Sequence, residues 1–109
     1  MIPSDQMEEL SVICPDSREM SEAGVSYVYL PNLRLPETCN PSVADGLLAL
    51  QAREGYPTRL FLSQQVSGKG NNWNSFRIVD RTWFACSWNY VSASLRPAQV
   101  LAEHLRAFR

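Results

Sequence analysis

The chain has almost no net charge and no long apolar run. Its 109 residues include 10 Lys and Arg against 11 Asp and Glu, so the formal net charge is −1. Because this balance gives no strongly basic surface to follow a phosphate backbone, we expect no nucleic-acid partner. The longest apolar stretch, residues 46–50, is far shorter than the ~20 residues that cross a bilayer. We therefore expect no membrane partner either.

Cysteine and histidine are also scarce. Cys14, Cys39 and Cys86 are the three cysteines, and His104 is the one histidine. An odd number of cysteines without Cys-x-x-Cys spacing is not typical of a disulfide framework or a tetrahedral zinc site. We expect reduced thiols and no metal site. The first residues lack the basic and apolar parts of a secretory signal, so the cytoplasm is the expected compartment.

The pattern of β-branched, aromatic and turn residues predicts a series of strands. A segment of 109 residues suits one core, so we expect a single domain over residues 1–109. Residues 42–51 are ambiguous, because leucine and alanine favour a helix whereas Gly46 and the flanking turns favour a strand; we predict a strand. The predicted strands are residues 25–30, 42–51, 58–62, 76–79 and 82–85.

Two helices complete the prediction. A short one over residues 4–10 has Ser4 or Asp5 as its cap, and a longer one begins at Pro97, with its apolar residues at helical spacing. Residues 16–22 are expected to be an irregular connection. The predicted fold class is α+β, an antiparallel β-meander packed by a C-terminal helix.

Cys86 is the most informative residue of the chain. It ends an apolar, aromatic run, Trp83-Phe84-Ala85-Cys86, and lies eleven residues before Pro97. A cysteine in such a place can carry an acyl group as a thioester. Cysteine is also a common small core residue, so a buried and inert role is the alternative.

Four pieces, in this order, resemble the ubiquitin-conjugating enzyme fold, in particular its divergent prokaryotic branch. They are the proline-bounded segment Leu30-Pro31-Asn32-Leu33-Arg34-Leu35-Pro36, the turn Gly55-Tyr56-Pro57, Cys86 at thirty residues after Tyr56, and the helix start Leu95-Arg96-Pro97. Together they span about three quarters of the chain. The resemblance implies a ubiquitin-conjugating-enzyme-like fold with Cys86 at the place of the thioester cysteine.

The resemblance also implies a function. The protein would carry a ubiquitin-like protein as a Cys86 thioester and transfer it to an acceptor, in a bacterial modification pathway with antiphage defence as a setting. Its partners would be the ubiquitin-like protein, an activating enzyme and a deconjugating peptidase. No metal or organic cofactor is implied, because the activating enzyme would spend the nucleotide. The alternative is a catalytically inactive scaffold of the same fold, which binds the ubiquitin-like protein or its activating enzyme.

The sequence departs from the family at the His-Pro-Asn tripeptide. Phe76-Arg77-Ile78 stands at the corresponding distance from Cys86, and this loss favours the inactive alternative. In the catalytic interpretation, Asn74 is a candidate for the missing asparagine, together with Asn71 and Asn72. Asp80 is expected to orient or deprotonate the incoming amine.

Other side chains are candidates for activating the Cys86 thiol and for binding a partner protein. A cation near the sulfur would favour the thiolate; the candidates are Arg77, Arg81 and Arg96. The predicted partner-binding residues are Trp73, Arg81 and Trp88.

The remaining aromatic and thiol side chains have simpler expectations. Trp73, between asparagines, is expected to be the most exposed tryptophan, and Trp83 is expected in the core. His104 is predicted to be a packed residue rather than a base. Cys14 is expected to pack at the domain edge, and Cys39, in a turn, to be exposed and oxidisable.

Overall fold

The computed structural model describes residues 2–37, 39–51, 56–88 and 91–109. These parts of the chain form six strands, two α-helices and a terminal 3-10 turn. Their bounds are α1 Ser4–Ile13, β1 Arg18–Glu22, β2 Val25–Arg34, β3 Val43–Ala49, β4 Arg59–Leu62, β5 Asn71–Ile78, β6 Arg81–Ser87, α2 Pro97–Leu105 and the 3-10 turn Arg106–Phe108. The predicted α+β class is confirmed. Gly55 of the predicted Gly55-Tyr56-Pro57 turn lies outside the described residues.

The six strands form one antiparallel sheet in the order β1-β2-β3-β4-β6-β5. The prediction of a simple meander holds for the first four strands and is wrong for the last two. Strand β6 lies inside the sheet because Trp83, Ala85 and Cys86 bury side chains on both of its faces. Most side chains of β5 are exposed and polar, so β5 occupies the edge.

Two segments of the first strands differ from expectation. Residues 16–22 were expected to be irregular, but Arg18–Glu22 forms the edge strand β1, whose polar sequence gives no alternation to reveal it. Pro31 and Asn32 were expected to end the preceding strand. Strand β2 instead continues through them, with a register shift between Leu30 and Leu33 and a positive φ at Asn32.

The sheet has a buried cluster on each face. The two helices cover one face, where the packed residues include Leu10, Val28, Leu48, Cys86 and Leu101. The other cluster comprises Tyr27, Leu47, Ala49, Phe61, Ile78, Trp83 and Ala85. The sheet curls around this second cluster, because the Glu22 carboxylate of β1 accepts a hydrogen bond from the Val79 amide at the β5–β6 turn. Both faces are therefore shielded from water.

The C-terminal helix begins as the sequence predicts. Pro97 occupies the first turn, and the Arg96 amide donates a hydrogen bond to Oε1 of Gln99 at 3.1 Å. Val100, Leu101, His104 and Phe108 are buried along one side, as the helical spacing indicated. Burial of a side chain such as Leu101 stabilises the fold by roughly 1.5–3 kcal/mol.

The N-terminal helix is three residues longer than predicted and is capped differently. Pro3, rather than Ser4 or Asp5, occupies the N-cap position, with no side-chain cap. Leu10 anchors the helix in the core, and the Arg96 guanidinium binds Asp5 and Glu9. These ion pairs are exposed and stabilise little, so burial of Leu10 dominates the docking. Over the described residues, no helix combines the length and apolar character needed to cross a membrane.

Candidate functional site

Cys86 is the second-last residue of β6, and its side chain lies on the helix-covered face of the sheet. Neighbouring residues of a strand alternate between the two faces. Ala85 accordingly packs in the cluster on the opposite face. The Cys86 residue is only 9% exposed. A thioester carrier needs a sulfur that an acyl group can reach, so the groups that cover Cys86 decide whether it can react.

The loop before β5 covers the sulfur. A Cβ atom placed on Gly70 would lie 3.0 Å from Cys86 Sγ and 3.1 Å from Cζ2 of Trp73, which shows how closely the Gly70 backbone packs on both side chains. Trp73 stacks on Phe108 with ring centroids 5.9 Å apart, and its Nε1 donates to the Lys69 carbonyl at 2.9 Å. The Trp73 ring thus fastens the Gly70 loop over Cys86.

A small cleft reaches the sulfur from the other side. Its volume is about 10 Å³, roughly the space that one water molecule requires. Its walls are Tyr56, Arg59, Leu60, Cys86, Trp88, His104, Ala107 and Phe108. An acyl carbon must approach a nucleophile to about 3–3.5 Å before it reacts. The end of a polypeptide does not fit this cleft unless its walls separate.

The environment also disfavours the thiolate. Burial raises the pKa of Cys86, although the Asn71 backbone amide and the nearby Arg59 charge act in the opposite direction. The net direction is upward, so the ionised fraction at neutral pH is smaller than for an ordinary cysteine. Arg59 is the cation near the sulfur. The predicted cations are elsewhere: Arg77 is exposed on β5, Arg81 binds Asp45, and Arg96 binds α1.

His104 lines the same cleft but does not supply a cation. The Thr58 hydroxyl donates to the Val91 carbonyl at 2.7 Å and lies 2.9 Å from His104 Nε2. Because the Thr58 hydroxyl already donates its proton to Val91, the hydrogen bond between Thr58 and His104 uses a proton on His104 Nε2. Burial, followed by the Arg59 charge, lowers the His104 pKa to about 4. His104 is therefore neutral at physiological pH, and its role as a packed residue is confirmed.

The structure does not bring the predicted catalytic partners to Cys86. Asp80 is exposed in the β5–β6 turn, six residues from Cys86 and thus roughly 20 Å away along an extended strand. Asn74 pairs with Ala85 in the sheet. Directly opposite residues share a face, so Asn74 lies on the other side of the sheet from the sulfur.

The predicted partner-binding residues separate into two places. Trp73 and Trp88 lie beside Cys86, and both are half-buried with their indole N–H groups bonded to the Lys69 and Glu103 carbonyls. Trp73 is more exposed than the buried Trp83, but it is not fully exposed, because its ring packs on Phe108. Arg81 is at the far end of β6, where it binds Asp45 at 2.9 Å. These three residues do not form one surface.

The other cysteines are structural. Cys14 is 1% exposed and its thiol donates to the Pro31 carbonyl at 3.1 Å, so the expected packing is confirmed. Cys39 was expected to be exposed, but it is 8% exposed and donates to the Phe108 carbonyl at 3.2 Å. That contact holds the turn against the C-terminal 3-10 segment and shields the thiol. All three thiols are unpaired.

Sequence reasoning missed the polar residues around the sulfur. Thr58 and Arg59 directly follow the Tyr56-Pro57 turn and were interpreted only as the start of a strand. Arginine is uncommon in an otherwise apolar strand such as Arg-Leu-Phe-Leu. Arg59 was therefore the residue from which a polar group near the core could have been predicted. Arg59 is 6% exposed and packs over the rings of Tyr56, Phe61 and Phe76.

The described residues also bear on metal binding. Across residues 2–37, 39–51, 56–88 and 91–109, no cluster of three or more His, Cys, Asp or Glu side chains is arranged to hold a metal ion. No protein-family model, curated protein or solved structure matches the chain. The assignment of function therefore depends on the site and on the sequence resemblance.

Proposed function

We propose that this protein is a non-covalent binding member of the ubiquitin-conjugating enzyme fold. It binds a ubiquitin-like protein in a bacterial cytoplasmic modification pathway, together with the activating enzyme of that pathway, and does not carry the ubiquitin-like protein on Cys86. This is the scaffold alternative that the sequence left open. The occluded Cys86 sulfur, covered by Gly70 and Trp73, is the observation that carries the proposal.

The resemblance supports the choice of partner. The Tyr56-Pro57 turn lies directly before β4, Cys86 lies near the end of β6, and Pro97 opens the last helix. These are the features that the sequence shares with conjugating enzymes. The missing His-Pro-Asn tripeptide and the raised Cys86 pKa both favour binding without bond formation.

A groove on the helix side offers a surface for the ubiquitin-like protein. It has a volume of about 660 Å³ and is lined by Ile13, Arg34, Leu35, Pro36, Glu37, Leu105 and Arg109. Val12, beside it at the end of α1, is 85% exposed, and Ile13 is 44% exposed. Exposed apolar side chains next to each other are typical of an interaction site. The two arginines exceed the single glutamate in charge, so the groove suits a partner with an acidic rim.

The first test measures binding without a covalent bond. Calorimetric titration with the ubiquitin-like protein of the same genome is expected to give the same Kd for the wild type and for Cys86→Ala, because the sulfur makes no contact with the partner. A Cys86→Ala protein that folds normally but loses binding would contradict the proposal.

The second test locates the surface. Ile13→Glu places a charge in the apolar groove and is expected to weaken binding about tenfold or more. Leu95→Glu is the matched control, since Leu95 is 38% exposed and precedes α2 at the end remote from Leu105. Equal weakening by the two substitutions would exclude the groove as the docking surface.

The catalytic interpretation remains as a second candidate because one observation favours it. The Arg59 charge and the Asn71 amide both act to lower the Cys86 pKa, and the sulfur borders a cleft, however small. In that case the Gly70 loop would have to move before a thioester formed. The transfer would then use Cys86 as the nucleophile, with none of the predicted helpers Asp80 and Asn74 beside it.

A further inference from the structure

A second cleft lies on the face of the sheet that is opposite to Cys86. It has a volume of about 170 Å³ and is formed between strands β1 to β3, the β5–β6 turn and the start of β6. Leu47, Tyr29 and Trp83 belong to the cluster on this face or pack against it, and Arg18 and Arg81 also line the cleft. The cleft is smaller than the ~300 Å³ at the lower end of pockets for drug-sized ligands. Its occupant must therefore be small, or be a short end of a chain.

Two arginine–aromatic stacks line this cleft. The Arg18 guanidinium carbon lies 4.9 Å from the Tyr29 ring centroid, and that of Arg81 lies 4.8 Å from the Trp83 centroid. The Tyr29 and Trp83 rings meet edge to face, with centroids 6.3 Å apart. A guanidinium held against a ring keeps the N–H donors at its edge available for an anion. The two stacks therefore place two groups of donors at one cleft.

The two arginines of the cleft differ in their ion pairing. Asp45 Oδ2 binds Arg81 at 2.9 Å, and Asp45 Oδ1 accepts the Asn32 amide at 2.9 Å. Asp45 therefore offsets the charge of Arg81. Glu22 accepts a hydrogen bond from the Val79 amide, and Glu19 accepts one from the Ile2 amide at 3.0 Å. Both donors are neutral, so both carboxylates keep their charge and disfavour a dianion in the cleft. In the described part of the chain, Arg18 has no carboxylate partner within salt-bridge distance.

We propose that this cleft binds a monocarboxylate with a short apolar body. The carboxylate is held by Arg18, with Arg81 as a second donor, and the apolar body packs on Met20 and Val79, the partly exposed apolar residues of the lining. Because a carboxylate carries one charge and accepts two parallel N–H bonds from a guanidinium, it matches the single guanidinium of Arg18 better than a dianion does. The site does not depend on the function proposed for the other face.

The same chemistry occurs in free acids and at the C-terminus of another chain, and the experiment distinguishes them. N-acetyl-leucine represents the free acid, and an N-acetylated hexapeptide ending in leucine represents a chain end. Each is titrated into ¹⁵N-labelled protein, with the C-terminal amide of the same compound as the neutral control. The Trp83 indole N–H, which donates to the Ile78 carbonyl at 3.1 Å, is the NMR reporter.

Saturable chemical-shift changes of the Trp83 indole N–H, with a Kd of about 1 mM, are expected for the acids. The amides are expected to cause no change. A hexapeptide that binds more than about tenfold tighter than N-acetyl-leucine identifies a chain end as the ligand; equal or weaker binding identifies a free acid. Arg18→Gln is expected to weaken binding about tenfold, because a charged hydrogen bond is lost at a half-open site. Arg18→Lys should restore part of it, since the charge returns without the planar guanidinium.

Arg77→Gln is the matched control for this site, because Arg77 is an exposed arginine on β5 outside the cleft. It is expected to leave the Kd unchanged. The proposal is overturned if the acids and amides bind alike or not at all, if Arg18→Gln binds like the wild type, or if the shifts avoid the Trp83 indole.

Discussion

Replacing Gly70 by alanine is expected to reduce the free energy of unfolding by roughly 2–5 kcal/mol. Two effects add. Gly70 has φ of +71°, a left-handed conformation that costs an L-residue about 1–2 kcal/mol. The new Cβ would also lie 3.0 Å from both Cβ and Sγ of Cys86, so the packed site must shift. Urea denaturation followed by tryptophan fluorescence measures the loss.

Gly68→Ala separates the two effects. Gly68 has a similar φ of +72°, but a Cβ there would meet nothing within 4 Å. Gly68→Ala is therefore expected to reduce the free energy of unfolding only by the cost of the left-handed conformation, about 1–2 kcal/mol. If Gly70→Ala and Gly68→Ala lose the same stability, the Gly70 backbone does not press on Cys86, and the account of the covered sulfur fails.

Acidification from pH 6.5 to pH 4 is expected to destabilise the fold by roughly 3 kcal/mol through His104. Burial, with the Arg59 charge, lowers the folded-state pKa of His104 from 6.5 to about 4. In this window the unfolded chain binds a proton at His104 and the folded chain does not, so the stability contribution is present above pH 6.5 and is lost as the pH falls. Urea unfolding at a series of pH values measures the slope.

His104→Gln tests the assignment, because the glutamine amide can donate to Thr58 without titrating. His104 is the one histidine of the chain, so no second imidazole contributes. Burial alone would raise the Asp45 pKa, but hydrogen bonds from Asn32 and Arg81 lower it below the ordinary 3.8. The stability that the ionised Asp45 contributes is therefore lost mainly below pH 4, outside this window. A His104→Gln protein with the wild-type slope between pH 4 and 6.5 would show that another group is responsible.

Much of the fold could be predicted from the sequence, because local patterns specify it. The strand at Val43–Ala49 was chosen over a helix on Gly46 and the flanking turns, and the helix start follows from Pro97 at the first turn. The edge strand β1 was missed, because its residues Arg-Glu-Met-Ser-Glu bury almost nothing and edge pairing depends on the partner strand rather than on alternation. The place of β6 beside β4 depends on long-range burial, which a one-dimensional pattern does not encode.

The candidate site was predicted only in part. Cys86 was recognised as the informative residue, but sequence proximity suggested Asp80 as its helper, and an extended strand carries that residue far from it. The actual neighbours, Arg59, Gly70 and His104, come from β4, a loop and α2. Only the three-dimensional arrangement brings these separated segments together.

The most direct test is a non-reducing gel of the protein incubated with its activating enzyme, ATP and the ubiquitin-like protein of the same genome. We expect no thiol-sensitive band above the free protein, because Gly70, Trp73 and Trp88 keep an acyl group from reaching Cys86. A band that dithiothreitol removes, and that disappears in Cys86→Ala, would contradict the account and establish Cys86 as the carrier of a thioester.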